Sequence, residues 1–453
     1  MERTLILDTV KKAGEEVLIK GWVRTRRDHG KLIFLDIYDR SAVLQVVVNA
    51  KVSEEAYKNA LSFSPQDAVE VKGEVKKRPE NTINKDLKTG EVELEVKELT
   101  ILAKSETLPF DMGGKDLNLE LPTLLDHRSL TLRHPKVISI FKLQESIVDN
   151  FRKIAKEFGC TEIFTPTITA SATEGGADVF AVDYYDKKTY LAQSPQLYKQ
   201  MMVGVFERVY TIAHAYRAEP SVTTRHLSEI VQLDMEIGFA GFEELLDDLE
   251  LVGTTILKKA AEENKEILSI FGVEPPLVPN KVPRLKFRDA QKIITERTGR
   301  DLSKEPDLNP EDEKEICAWA KEVHKSDFVT ITHFPTKKKP FYTMPDPNDP
   351  EYSLSYDLLF NGEEISSGSQ RINELNMLTE SMEKRGIDPK KFGMYLQAFK
   401  YGIPTEGGFS FGLERLTMKL LKLKNVREAS LYPRDMERVD ERLSLIYKKE
   451  PKQ

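Results

Sequence analysis

A chain of 453 residues exceeds one ordinary domain and provides for two or three units with cores of their own. Its 40% hydrophobic and 31% charged residues are those of a soluble globular protein, and no run of about twenty apolar residues is present to form a membrane-spanning helix. A net charge of −7 speaks against non-specific coating of nucleic acid, and two cysteines, Cys160 and Cys317, exclude a disulfide framework or a cysteine-rich zinc site. Met1 to Val10 lacks the apolar core of a signal peptide, which predicts a cytoplasmic protein.

The first hundred residues alternate as strands do, through "EEVLIKGWVRTRR", "KLIFLDIYDR", "AVLQVVVN", "DAVEVKGEVKKR" and "GEVELEVKELTIL". Between the third and fourth, "SEEAYKNALSF" suits a short amphipathic helix with Ala56, Leu61 and Phe63 on its apolar side. Five strands with a helix after the third is the order of an OB-fold barrel, a frequent oligonucleotide binder, over residues 1–104. Residues 105–132 are rich in turn-formers and read as a linker.

From 133 onward the pattern is mixed. Val137, Ile140, Phe141, Ile147, Phe151, Ile154 and Phe158 recur at helical spacing, and Gly159 stands where a C-terminal cap belongs. A helix of that apolar length predicts a partner surface and hence a homodimer. The strand "TEIFTPTI" contains Pro166, which cannot donate to a central ladder and so predicts a sheet edge or a subunit interface. Further strands at "YLAQSPQ", "RVYTIAHAYRAE", "IVQLDMEIGF", "YDLLFNGEEISSGSQR" and "GGFSFGLERL" are separated by helices, with a small helical insertion at about 242–330. Neither a regular strand–helix alternation nor a phosphate-binding glycine loop occurs, so residues 133–453 read as an α+β domain on an antiparallel sheet flanked by helices.

Within this domain "RAEPSVTTRHLSEIVQLDMEI" places Arg217, Glu219, Arg225 and His226 within ten residues, ahead of Asp234 and Glu236. Such a cluster is either a solvated loop or the frame of an anionic ligand. Its neighbours favour the second. The helix ending in "TEIFTPTI", the "AYRAE…RHL" block and "GGFSFGLERLTM" resemble, in order and spacing, motifs 1, 2 and 3 of class II aminoacyl-tRNA synthetases. With the barrel, the chain resembles the aspartate, asparagine and lysine subgroup over nearly its whole length. The segments "ATEGGADVF", "LAQSPQLYKQ" and "EEISSGSQRI" are most similar to aspartyl-tRNA synthetases of the archaeal type.

The resemblance implies an ATP-dependent ligase that forms aspartyl-adenylate and passes aspartate to tRNA(Asp), with tRNA(Asn) left open as a second acceptor. It implies catalytic roles for Arg217, on the α-phosphate and the attacking carboxylate, and for Arg415, against the adenine. ATP would further be met by Glu219, Arg225, His226, Leu227, Ile230, Glu364 and Gly412. L-Aspartate would be held by Glu174, Gln196, Lys199, Asp234, Ser367 and Arg371, with Lys199 and Arg371 as two cations at the pocket floor. Mg²⁺ would be held by Glu364 and Ser367, with Asp357 beside them. Oxygen ligands without thiols suit that ion, although an ordinary strand would show Asp357, Glu364 and Ser367 on one side only if a bend intervened. In the barrel, the resemblance places Phe34 on an anticodon base, Gln45 at its edge, Arg26 on the backbone and Lys88 near the third base, as exposed RNA bases are commonly read.

Two positions depart from the family. Ile230 stands where relatives carry a phenylalanine, and Thr405-Glu406 where many read Pro-His; nothing in the sequence explains the second. Asparagine specificity, or a non-catalytic RNA-binding paralogue, are the alternatives. A paralogue of that kind is expected to lose charged site residues first, and here they are all present.

Overall fold

The structure is a computed structural model and describes residues 1–170, 179–219 and 223–446. It divides into two compact units, residues 1–119 and 120–453, so the boundary falls inside the stretch read as a linker.

The first unit is a closed barrel of β1 (Glu16–His29), β2 (Leu32–Tyr38), β3 (Val43–Asn49), β4 (Ala68–Lys77) and β5 (Val92–Ala103), joined in the order β1-β2-β3-β5-β4. Helix α1 (Glu54–Leu61) lies between β3 and β4, as the sequence predicts, and is capped by the Ser53 hydroxyl. Its inward side is Ala56, Ala60 and the following Phe63; Leu61, expected inside, is exposed. Strand alternation fills the barrel with Ile33, Leu35, Ile37, Leu44, Val46 and Val48 and turns the residues between them outward.

The second unit opens with α2 (Leu121–Asp126), α3 (Arg128–Thr131) and the long α4 (Pro135–Glu157), which ends at Gly159 with φ +73°. The predicted strand around Pro166 is broken. Only β6 (Thr161–Glu162) and β7 (Ile168–Thr169) are paired, in different sheets, and Pro166 sits between them where no ladder bond is required of it. A small sheet joins β7 to β8 (Ala181–Tyr184) and β9 (Lys187–Leu191). Helix α5 (Gln196–Phe206) follows, then β10 (Arg208–Tyr216), β11 (Glu229–Gly238), α6 (Phe242–Glu263) and α7 (Lys265–Phe271). Next come β12 (Arg284–Lys286), α8 (Phe287–Thr298), α9 (Pro310–His324) and β13 (Phe328–Thr332). The chain closes through β14 (Ser355–Phe360), β15 (Glu363–Gln370), α10 (Leu375–Glu383), α11 (Gly393–Lys400), β16 (Glu406–Gly412), α12 (Leu413–Leu421) and α13 (Leu443–Ile446).

Eight strands form the main sheet in the order β12-β13-β14-β15-β16-β11-β10-β6, antiparallel through its middle and parallel at either end. Helices α4, α6 and α12 cover one face through Ile147, Phe151, Leu249, Ile256, Leu416 and Leu420. The apolar side of α4 is therefore covered by its own chain, and the sequence argument that this helix needs a partner for it does not hold. Over residues 242–330, α6 belongs to this main core and β12 and β13 prolong the sheet, while α8 and α9 pack a separate cluster around Phe287 and Ile316.

Candidate functional site

The site lies on the face of the sheet opposite α4 and α6. In β11, Leu233, Met235 and Ile237 point into the helix-covered core, so Gln232, Asp234 and Glu236 must point the other way. In β16, Phe409 and Phe411 do the same, which turns Gly408, Ser410 and Gly412 to the site. Gly408 is required there, because a Cβ at this position would lie 2.2 Å from the Glu236 carboxylate.

The stretch "YDLLFNGEEISSGSQR", read as one strand, is a hairpin. Asn361 and Gly362, at φ +47° and +81°, form the two-residue turn for which Asn-Gly is the usual choice. Leu358 pairs with Ser366 and Leu359 with Glu364, leaving Ile365 as an extra residue. This bulge supplies the bend that the sequence demanded. It brings Glu364 and Ser367 to the same side, that of Asp357, whose carboxylate accepts from the Ser367 hydroxyl at 2.6 Å.

These elements enclose a cleft of about 260 Å³. Of the residues expected around ATP, Arg217, Glu219, Arg225, His226, Leu227, Ile230, Glu364, Gly412 and Arg415 all line it. So do Gln196, Lys199, Asp234, Ser367 and Arg371, expected around the amino acid. Asp357 sits just behind the wall, and Glu174 falls outside the described residues.

Arg217 leaves β10 with its amide bonded to the Ser228 carbonyl at 2.9 Å and its guanidinium 3.8 Å from Glu219. Glu219 also faces His226 at 3.5 Å. Arg225, expected on the outer phosphates, is gripped by Glu363 at 2.7 Å and Glu313 of α9 at 2.5 Å, and must exchange these partners to reach a ligand. Arg415, in the first turn of α12, donates to the Glu364 carbonyl at 2.8 Å.

The floor is where the structure corrects the sequence reading most. Lys199 and Arg371 are not two open cations. Lys199 bonds Asp234 at 2.7 Å and lies 3.2 Å from Glu236, while the Arg371 guanidinium holds Glu236 through Nε at 2.7 Å and Nη2 at 3.2 Å. All four side chains are buried, and burial of an uncompensated charge would cost several kcal/mol, roughly, so the cations carry their counter-ions within the fold. Burial pushes both carboxyls up, but Arg371 and Lys199 together hold Glu236 below the usual range, whereas Asp234, facing Lys199 alone, stays raised. The sequence assigns Glu236 no role of its own, and its place in β11 two residues from Asp234, hence on the same face, is the signal that reveals it.

Lys339, from the Pro-rich loop after β13, was missed altogether. It lines the cleft, holds both Asp357 oxygens at 3.1 Å and lies 4.0 Å from the centre of the Phe334 ring. Burial, with Glu364 nearby, still lifts the Asp357 carboxyl to about 6 against the pull of Lys339 and Ser367. Among the described residues no three His, Cys, Asp or Glu side chains are grouped as a metal site would need.

On the barrel, Phe34 lies outside the core, edge-on to His29 with ring centres 5.5 Å apart. Beside it Gln45 donates to Glu93 at 2.9 Å, and Arg27 bonds Asp36 at 3.1 Å. Arg26 donates to the carbonyls of Leu61 and Phe63 at the end of α1, which anchors the helix to the barrel. Lys88 is exposed on the β4–β5 loop.

Residues 120–436 match the family described as tRNA synthetases class II (D, K and N), and residues 17–102 match the OB-fold nucleic acid binding domain. The chain belongs to the class II tRNA synthetases. It is 40% identical to the Aspartate--tRNA(Asp/Asn) ligase of Thermus thermophilus over 96% of this chain and 99% of that one. To the Aspartate--tRNA(Asp/Asn) ligase of Aeropyrum pernix it is 39% identical over 94% and 96%. The crystal structure of asparaginyl-tRNA synthetase from Pyrococcus horikoshii complexed with asparaginyl-adenylate superposes with a TM-score of 0.88, at 29% identity, over 97% of this synthetase and 99% of that chain. None of the synthetase's helices, among the described residues, is long and apolar enough to cross a membrane.

Proposed function

We propose that this synthetase is an aspartate–tRNA ligase, activating L-aspartate with ATP and transferring it to tRNA(Asp), with tRNA(Asn) as a second acceptor. The observation that carries the choice of amino acid is the balanced floor. Lys199 and Arg371 are matched by Asp234 and Glu236 before any substrate arrives. A ligand that brings one ammonium and one side-chain carboxylate keeps that balance. Asparagine brings the ammonium alone, and lysine two positive charges, each leaving charge uncompensated in a buried site. The relatives named as Aspartate--tRNA(Asp/Asn) ligases support the same reading.

In this reading the α-carboxylate of aspartate attacks the α-phosphorus of ATP and displaces pyrophosphate. Arg217 spans the two reacting groups with its planar fork, and Arg415 and Ile230 enclose the adenine. The Mg²⁺ that accompanies ATP in this family fits the wall of Glu364 and Ser367, with Asp357 behind them. The donors there are oxygens, the Glu364 charge adds to burial in raising the Asp357 carboxyl, and few protein ligands suffice for an ion that keeps phosphate oxygens and water. When bound it neutralises charge on the phosphates. The test is aspartate-dependent ATP–pyrophosphate exchange, followed by charging of tRNA(Asp) and tRNA(Asn) transcripts. Aspartate is expected to be preferred over asparagine by a factor on the order of 10³. Equal exchange with the two amino acids would refute the aspartate pocket.

We also propose a homodimer, now on different grounds from the α4 argument. Strand β6 ends the main sheet among the described residues, and Phe164, Val205, Phe206 and Phe239 of the same unit are exposed, Phe164 to 88%. A lone exposed apolar side chain is ordinary, whereas several such residues on one unit with a sheet edge fit a buried interface. Light scattering at micromolar concentration is expected to return twice the chain mass of 51.7 kDa; a monomer mass would rule the dimer out.

A further inference from the structure

Glu406, which the sequence left without an account, opens β16 directly behind the floor of the cleft. It is fully buried. Its Oε1 accepts from the Gln200 side-chain Nε2 at 2.8 Å, and the oxygen of the same Gln200 amide accepts from the Tyr395 hydroxyl at 3.0 Å. Among the described residues its Oε2 has no donor, and the carboxyl that Glu406 meets is that of Glu236, on the same face of the neighbouring strand β11. Two carboxyls can bond only through a proton that one of them carries. Glu236 already receives Arg371, Lys199 and the Gln196 amide at 3.4 Å, so it is the ionised member.

We infer that Glu406 is a positioning residue that donates a hydrogen bond to Glu236, fixing the carboxylate that holds Arg371 and Lys199 in place for the aspartate side chain. The inference rests on the aspartate reading for its effect on substrate, though not for the proton itself. The groups that face Glu406 are Glu236 from β11, Arg371 from the end of β15, Gln200 from α5 and Tyr395 from α11, with Tyr356 of β14 and Tyr342 nearby. Burial, then the Glu236 charge, holds the Glu406 carboxyl well above the ordinary carboxylate range, against the pull of Arg371; burial likewise raises Tyr395 and Tyr356. With Glu406 neutral, two cations and two anions balance. Loss of its proton at alkaline pH adds a third negative charge behind the place where an anionic side chain must bind, and weakens aspartate while ATP, at the other end of the cleft, is little affected.

The experiment is the pH dependence of the KM for aspartate and for ATP in exchange assays on the full-length wild type and Glu406→Gln. Glutamine reproduces the protonated acid, since it accepts from Gln200 and donates to Glu236, but has no proton to lose. In the wild type the KM for aspartate is expected to climb toward about tenfold per pH unit above the titration point. In Glu406→Gln only the rise from the amino group of aspartate itself remains, without the added dependence of the wild type, and the KM for ATP follows one curve in both. Infrared difference spectra of wild type minus Glu406→Gln at pH 8 are expected to show a protonated carboxyl C=O band. Identical KM profiles for aspartate, or absence of the band, would overturn the inference. Should the wild type not activate aspartate at any pH, the substrate reading falls and the band alone decides whether Glu406 carries the proton.

Discussion

Arg217→Ala is expected to lower ATP–pyrophosphate exchange by about 10³-fold while leaving the unfolding transition where it is in the wild type. The side chain is 40% exposed and, among the described residues, its ion pair to Glu219 is long at 3.8 Å, so the fold loses little with it. The reaction loses much, because no other cation on this wall is as lightly held. Arg225 is committed to two acids, and Lys339 to Asp357. Exchange within tenfold of wild type would mean that the α-phosphate is bound elsewhere. Phe34→Ala supplies the complementary arm. Its ring is on the outer face of a barrel that forms a compact unit of its own, so charging of tRNA should weaken while exchange is spared. Equal losses in both assays would make Phe34 a structural residue.

Lys199→Leu has its largest effect on stability. The ammonium is 2% exposed and answers Asp234 and Glu236, so its removal strands two buried carboxylates against the single cation of Arg371. Breaking a buried pair in this way costs about 3–5 kcal/mol, and the urea midpoint at neutral pH should fall accordingly, with exchange lost as well. A second change, Asp234→Asn, restores the count of charges and should recover part of the stability but not the activity. A midpoint unchanged by Lys199→Leu would show that the floor does not depend on the pair.

Much of the barrel was readable because its strands obey a plain two-residue alternation, from which the amphipathic stretch "SEEAYKNALSF" stands apart. The long α4 was readable for the same reason at helical period. What the sequence hid was partnership. Lys199 and Arg371 look like free cations when counted in a line, and only the sheet reveals that Glu236, two positions beyond Asp234, stands between them. Likewise Glu406 is an unexplained departure from its family until Gln200, Tyr395 and Glu236 are seen around it. Lys339 escaped notice because it comes from an irregular loop, where no period marks which side chain turns inward. The α4 argument failed for a related reason: an apolar stripe announces that it will be covered, and says nothing of by what.

The extra residue in β15 has a consequence beyond the cleft wall. A strand can be treated as a wave with a wavelength of two residues, and Ile365 is then a phase slip of half a period. Glu364 and Ser367, an odd number of positions apart, would be in antiphase on an unbroken strand and are in phase here. Any scan that sums hydrophobicity across "GEEISSGSQR" adds two out-of-step segments and cancels its own signal, so the strand that brings Glu364 and Ser367 to one wall of the site conceals its own period.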